Sequence, residues 1–105
     1  MASIEFEGKS YPVNEDGFLE DFDKCDEGWM RYVMSLEGIE ELSDDHKKVL
    51  RVIRDYYKEN GIAPMIRLLS KITGFKLIYI YQLFPSGPAK GACKMAGLPK
   101  PTGCI

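Results

Sequence analysis

Residues 43–74, SDDHKKVLRVIRDYYKENGIAPMIRLLSKITG, restrict the possible folds more than any other stretch of the chain. Ser43 is a good N-cap, and Asp44 and Asp45 suit the positive end of a helix dipole. Val49, Leu50, Ile53 and Tyr57 then recur at helical spacing up to the stop signal Asn60-Gly61. Pro64 fits the first position of a second helix with the face Met65, Leu68, Leu69 and Ile72, ended by Gly74. The connection is so short that the two helices must be close neighbours, as in a helix-turn-helix. A mainly α fold is therefore expected.

The flanking segments add a small β element and more helix. In SIEFEGKSYPV, Ile4 and Phe6 alternate with Glu5 and Glu7, and the chain then passes through Gly8-Lys9 to Tyr11 and Val13, which suits a hairpin. A lone hairpin is marginal in water, so it needs a helical layer to lie on. Trp29, Val33 and Leu36 mark a short amphipathic helix between the cap Asp26 and the stop Gly38. FKLIYIYQLF has the β-branched and aromatic content of a strand, but Leu77, Ile80, Tyr81 and Phe84 fall at i, i+3, i+4 and i+7, and the segment is read as helix. Pro88 opens a last short helix that Gly97 ends. Two prolines in LPKPTGCI then impose extended backbone.

The expected fold class is mainly α (α+β). It is a small orthogonal helical bundle, helix-turn-helix-like, with an N-terminal β-hairpin. Residues 1–97 form one domain and residues 98–105 a flexible C-terminal arm. A length of 105 residues, 45% hydrophobic and 29% charged, agrees with one ordinary core and excludes a disordered chain. MASIEFEGKS lacks a basic region followed by an apolar stretch, and no run of about 18 apolar residues occurs, so the protein is expected to be cytoplasmic. Charge is split along the chain: residues 1–45 hold 14 acids and 3 bases, residues 46–105 hold 2 acids and 11 bases. The C-terminal part should favour an anionic partner surface or substrate.

Candidate chemistry lies in ACKMAGLPKPTGCI. On a helix over 88–96, Pro88, Ala92 and Met95 would face the core, while Ala89, Cys93, Ala96 and Gly97 form a neighbouring face of small side chains. Lys90 and Lys94 flank the Cys93 thiol, and ammonium groups favour the nucleophilic thiolate. The bland alternative is a buried structural cysteine. Cys104, next to the last residue of the sequence, has no obvious packing role. Its arm spans at most about 26 Å, enough to enter a cleft in another protein or to fold back on its own last helix. Closing the short loop between the two thiols costs modest entropy, so a reversible disulfide or a bridge with extra sulfur is feasible.

Other residues carry less. Cys25 lies among Asp23, Asp26 and Glu27, which disfavour a thiolate, and is read as structural. The single histidine, His46, suits a capping or solvated position, and the spacing of Cys and His gives no metal site. Met30, Met34, Met65, Met95 and Trp29 are read as core. A helix-turn-helix DNA-binding regulator is the weaker alternative: Arg67, Lys71 and Lys76 could touch phosphates, but the chain is acidic overall and the second helix of the 43–74 pair is poor in residues that read base edges, so nucleic acid is not the expected partner.

LFPSGPAKGACKMAGLPKPTGCI resembles the C-terminal signature of the DsrC family of sulfur carriers, the gamma subunits of dissimilatory sulfite reductase. IRDYYKENGIAPMIRLLSKITG and NEDGFL are similar to that family's central helices and hairpin-to-helix junction. The resemblance implies that the arm carries Cys104 into a channel of the alpha and beta subunits. There Cys104 takes up sulfite-derived sulfur and Cys93 joins it in a trisulfide or disulfide. It also implies reduction of the carrier by a membrane-bound complex of the heterodisulfide-reductase type. By the same resemblance, siroheme and iron–sulfur clusters are expected in the partner reductase and none in this chain, which would act as a co-substrate or subunit more than as a freestanding enzyme. TusE-type relatives, which relay persulfide for tRNA thiolation, match only Cys104 and supply the alternative reading. Lys90, Lys94 and Lys100 are expected, from position, to stabilise thiolates or guide the arm.

Overall fold

The computed structural model describes residues 2–98, apart from the side chains of residue 2 and of residues 88–90. β1 (Ala2–Phe6) and β2 (Lys9–Val13) pair antiparallel with Ile4 opposite Tyr11 and Phe6 opposite Lys9. The connecting Glu7 and Gly8 both have positive φ, 52° and 79°, as the twist of a two-residue hairpin turn requires. Glu7 is stabilised there by Arg31, whose Nε donates to its carboxylate at 2.8 Å. After a 3₁₀ turn at Phe22–Lys24 come α1 (Glu27–Glu37), α2 (Asp44–Asn60), α3 (Ile66–Thr73) and α4 (Leu77–Leu83). A π-helical segment, Pro88–Cys93, follows. The described chain is thus mostly helical with one hairpin.

Local chemistry explains the boundaries. Asp26 caps α1 by accepting from Trp29 N at 3.0 Å, accepts from Tyr11 Oη at 2.7 Å, and pairs with Lys9 through its other oxygen. The bond from Lys9, then those from Trp29 and Tyr11, hold the Asp26 carboxyl well below the usual carboxylate range. One carboxylate therefore ties the hairpin to the first helix. Ser43 and His46 form a reciprocal capping box at α2, with His46 N donating to Ser43 Oγ and Ser43 N donating to His46 Nδ1. His46 Nε2 donates to Leu83 O at 2.9 Å, which fastens α2 to the end of α4. Capping was one of the two roles expected of this histidine.

Several helical faces are rotated from the expectation. α3 begins at Ile66, with Met65 as an extended N-cap residue and Pro64 buried before it, so Pro64 does not open the helix. Its inward residues are Ile66, Leu69 and Thr73, and Met65 and Ile72 are exposed. Leu36 and Leu77 are exposed too, and α4 buries Ile80 and Leu83, with Phe84 just after it, instead of Leu77 and Tyr81. These helices are short and bordered by turns, so packing against neighbouring elements, α2 for α3 and α3 for α4, sets their rotation and a periodic pattern with several apolar candidates cannot. Trp29, Val33, Val49, Ile53, Leu69, Ile80 and Phe84 form one core cluster with Ala92, Cys93, Met95 and Leu98 of the C-terminal segment. Among the described residues no helix is long and apolar enough to cross a membrane.

Candidate functional site

Small residues let the Cys93 segment enter the core. At Gly87, φ is 92° and the Tyr81 ring lies 3.1 Å from where a Cβ would stand. A Cβ at Gly91 would meet Glu37 Oε1 at 2.8 Å and Phe84 Cβ at 3.0 Å. Glu37 also anchors the turn before the segment, accepting from Ser86 N at 2.9 Å and from the Ser86 hydroxyl. Ala92, Cys93, Met95 and Ala96 are all buried. The expected division into a core face and a separate small-residue face is therefore not seen, since α1, α2 and α4 enclose the segment on several sides.

The end of this segment is held by two sets of hydrogen bonds. Gly97 N donates to Lys94 O at 3.1 Å and Leu98 N to Cys93 O at 3.2 Å, and Gly97 has φ 88°. This is a Schellman closure with buried Leu98 as its apolar contact. The carbonyls of this last turn, one of them already bonded to Gly97 N, also take donors from other parts of the chain. Trp29 Nε1 donates to Lys94 O at 2.7 Å, Cys25 Sγ to Met95 O at 3.6 Å, and Arg54 Nη1 to Ala96 O at 2.8 Å. Arg54 is itself stacked 4.2 Å over the Phe22 ring. Three elements thus grip three consecutive carbonyls, and Leu98, counted with the arm on sequence grounds, is packed with the core.

Of the expected site residues, Cys93 is buried beside this closure. Lys94 directs its ammonium to the turn after β2, where Nζ lies 5.7 Å over the Phe18 ring. Lys100, Cys104 and the side chain of Lys90 lie outside the described residues. Cys104 follows six residues after Leu98, about 20 Å at full extension. Trp29 and Arg54 were not identified as parts of the site. The one available signal was that a buried indole N–H needs an acceptor, but the acceptor is 65 residues away.

The Cys25 thiolate is disfavoured, with burial and not its acidic neighbours as the main cause. Burial pushes its thiol up from 9.0 to about 11, Asp26 adds to the rise, and Arg54 opposes it. The folded-state value lies above the unfolded one, so this thiol's contribution to stability is intact below about pH 9 and is lost as pH rises towards 11. A loss of roughly 2–3 kcal/mol is expected across that window. Tyr11, pushed up to about 12 by burial and then by Asp26, adds a loss at higher pH. Urea midpoints between pH 8 and 11 test this: Cys25→Ala should flatten the lower part of the decline, and a profile parallel to wild type would refute the assignment.

The chain matches the family described as DsrC like protein over residues 5–105. It is 61% identical, over all of both chains, to the sulfite reductase, dissimilatory-type subunit gamma of Nitratidesulfovibrio vulgaris. It is 41% identical to the sulfurtransferase TusE of Escherichia coli, covering 95% of this chain and 97% of the relative. Among solved structures, a chain in the crystal structure of dissimilatory sulfite reductase I (DsrI) superposes with a TM-score of 0.90 at 60% identity, covering 99% of this chain and 100% of that one.

Proposed function

Because this chain belongs to the DsrC family, we propose that it is the sulfur carrier of a dissimilatory sulfite reductase, with Cys104 as the sulfur-accepting thiol and Cys93 as its resolving partner. The observation that carries this reading is the 61% identity to a gamma subunit over the full length of both chains. The clamped end of the Cys93 segment supports it, because Cys104 has a fixed root and a limited reach. In this reading the arm enters the alpha and beta subunits, whose siroheme and iron–sulfur clusters supply electrons. The carrier works in the cytoplasm.

The step balances as follows. Two electrons from the reductase take sulfite sulfur from the +4 to the +2 level. The Cys104 and Cys93 thiols give two electrons and two protons as two new S–S bonds form, leaving zero-valent sulfur between them. The sulfite oxygens leave as water with further protons from solvent. Four electrons and four protons, delivered by a membrane-bound complex of the heterodisulfide-reductase type, then release sulfide and restore both thiols.

Incubation with alpha and beta reductase subunits, sulfite and a reductant should yield, without added thiol, a species about 30 Da heavier in which peptides of Cys93 and Cys104 are joined. An unchanged mass after reductase turnover would sink the proposal. A TusE-like relay, which the 41% identity to TusE favours, would instead show Cys104 persulfide formed from a persulfide donor, with no requirement for Cys93.

A further inference from the structure

We propose that the outward face of α3 and α4 is the docking surface for an acidic protein surface with an apolar centre, on the partner that receives the C-terminal arm. This rests on the sulfur-carrier reading and specifies where the carrier sits. Among the described residues, six of the seven exposed large apolar side chains fall between Ile62 and Tyr81, including Ile78 at 67%, Met65 at 63% and Tyr81 at 49% exposure. On α4, Ile78 and Tyr81 are three apart and share one exposed face, and exposed Pro85 follows after the helix has ended at Leu83. The Tyr81 ring abuts Gly87, so this stripe leads directly into the root of the Cys93 segment.

Charge narrows the kind of partner. No aspartate or glutamate follows Glu59 in the sequence, and exposed Arg67, Lys71 and Lys76 surround the apolar residues. Two carboxylates bonded to residues bordering this region are occupied: Asp45 accepts from Tyr79 Oη, and Glu37 accepts from Ser86 N. The face is therefore basic and complementary to an acidic surface. Met, Tyr and aliphatic side chains at its centre resemble the anchors of protein interfaces, whereas nucleic-acid sites are more polar and denser in positive charge. In contrast, the open groove of about 570 Å³ between α1 and α2 has Glu40 and Glu41 beside Lys47 and Arg51 and selects no single sign.

Binding to the alpha and beta reductase subunits is the test, by calorimetry at two salt concentrations. Ile78→Glu and Tyr81→Glu should each weaken binding at least tenfold. Lys71→Glu with Lys76→Glu should weaken it and reduce its salt dependence. Leu36→Glu, an exposed apolar residue on α1, should bind as wild type. Unchanged circular dichroism and urea midpoints would establish that the variants are folded. If wild type binds and both α4 variants bind equally well, the docking face is wrong and the carrier reading stands; if wild type does not bind, both fall. Duplex DNA binding, or a wild-type dimer in ultracentrifugation, that is lost in Ile78→Glu while reductase binding is unchanged assigns the face to nucleic acid or to a second copy and overturns the proposal.

Discussion

Cys104→Ser should take up no sulfur from reductase turnover, and its mass should stay that of the reduced variant. Cys93→Ser should still load. It should stop at a persulfide on Cys104, about 32 Da heavier, because the arm has its nucleophile but no internal thiol to close the bridge. The difference between the two variants tests the division of labour proposed for them. Cys93 is buried and its segment is clamped, which suits a residue that waits for the incoming sulfur. Tryptic peptides analysed without thiols would show the loaded residue directly. Loading of Cys104→Ser at the wild-type level, with sulfur on Cys93, would reverse the assigned roles.

The second large effect is structural. Gly97→Ala should destabilise the protein by about 2–4 kcal/mol, from left-handed backbone and overpacking together. A Cβ there would stand 2.5 Å from Cys25 Cβ and 2.8 Å from its Sγ, at φ 88°. For a domain of this size that corresponds to a Tm lower by roughly 10–25 °C. Cys25→Gly combined with Gly97→Ala separates the two causes, since the double variant removes the collision and keeps the backbone strain. Part of the loss should therefore be non-additive and recoverable. A Gly97→Ala urea midpoint within about 0.5 kcal/mol of wild type would mean that the closure at Leu98 is not held as described. Sulfur loading should also slow in folded Gly97→Ala, because the arm would start from a displaced root.

Much of the architecture could be read locally. Ser43, Asp26, Gly38, Gly61 and Gly74 stop or start helices through bonds made within a few residues, and each acts as expected. The hairpin was legible as well, but its turn is Glu7-Gly8, one residue earlier than the expected Gly8-Lys9, because Lys9 pairs with Phe6 in the sheet. The helical reading of FKLIYIYQLF holds as α4. Pro64 and the faces of α3 and α4 were misread because spacing identifies which residues share a stripe, and contact with neighbouring elements selects which stripe is buried.

The sequence alone determined the helix order, the hairpin, the split of charge and the two-thiol tail whose likeness pointed to the DsrC family. Only the tertiary structure decided that Cys93 lies in the core, that Leu98 belongs to it, and that Trp29, Cys25 and Arg54 grip the carbonyls between them. It also decided that Ile78 and Tyr81 face outward. The reason is range. Caps and turns are satisfied by neighbours in sequence, whereas the acceptors of a helix end are completed by donors 42 to 70 residues away, which no local pattern encodes.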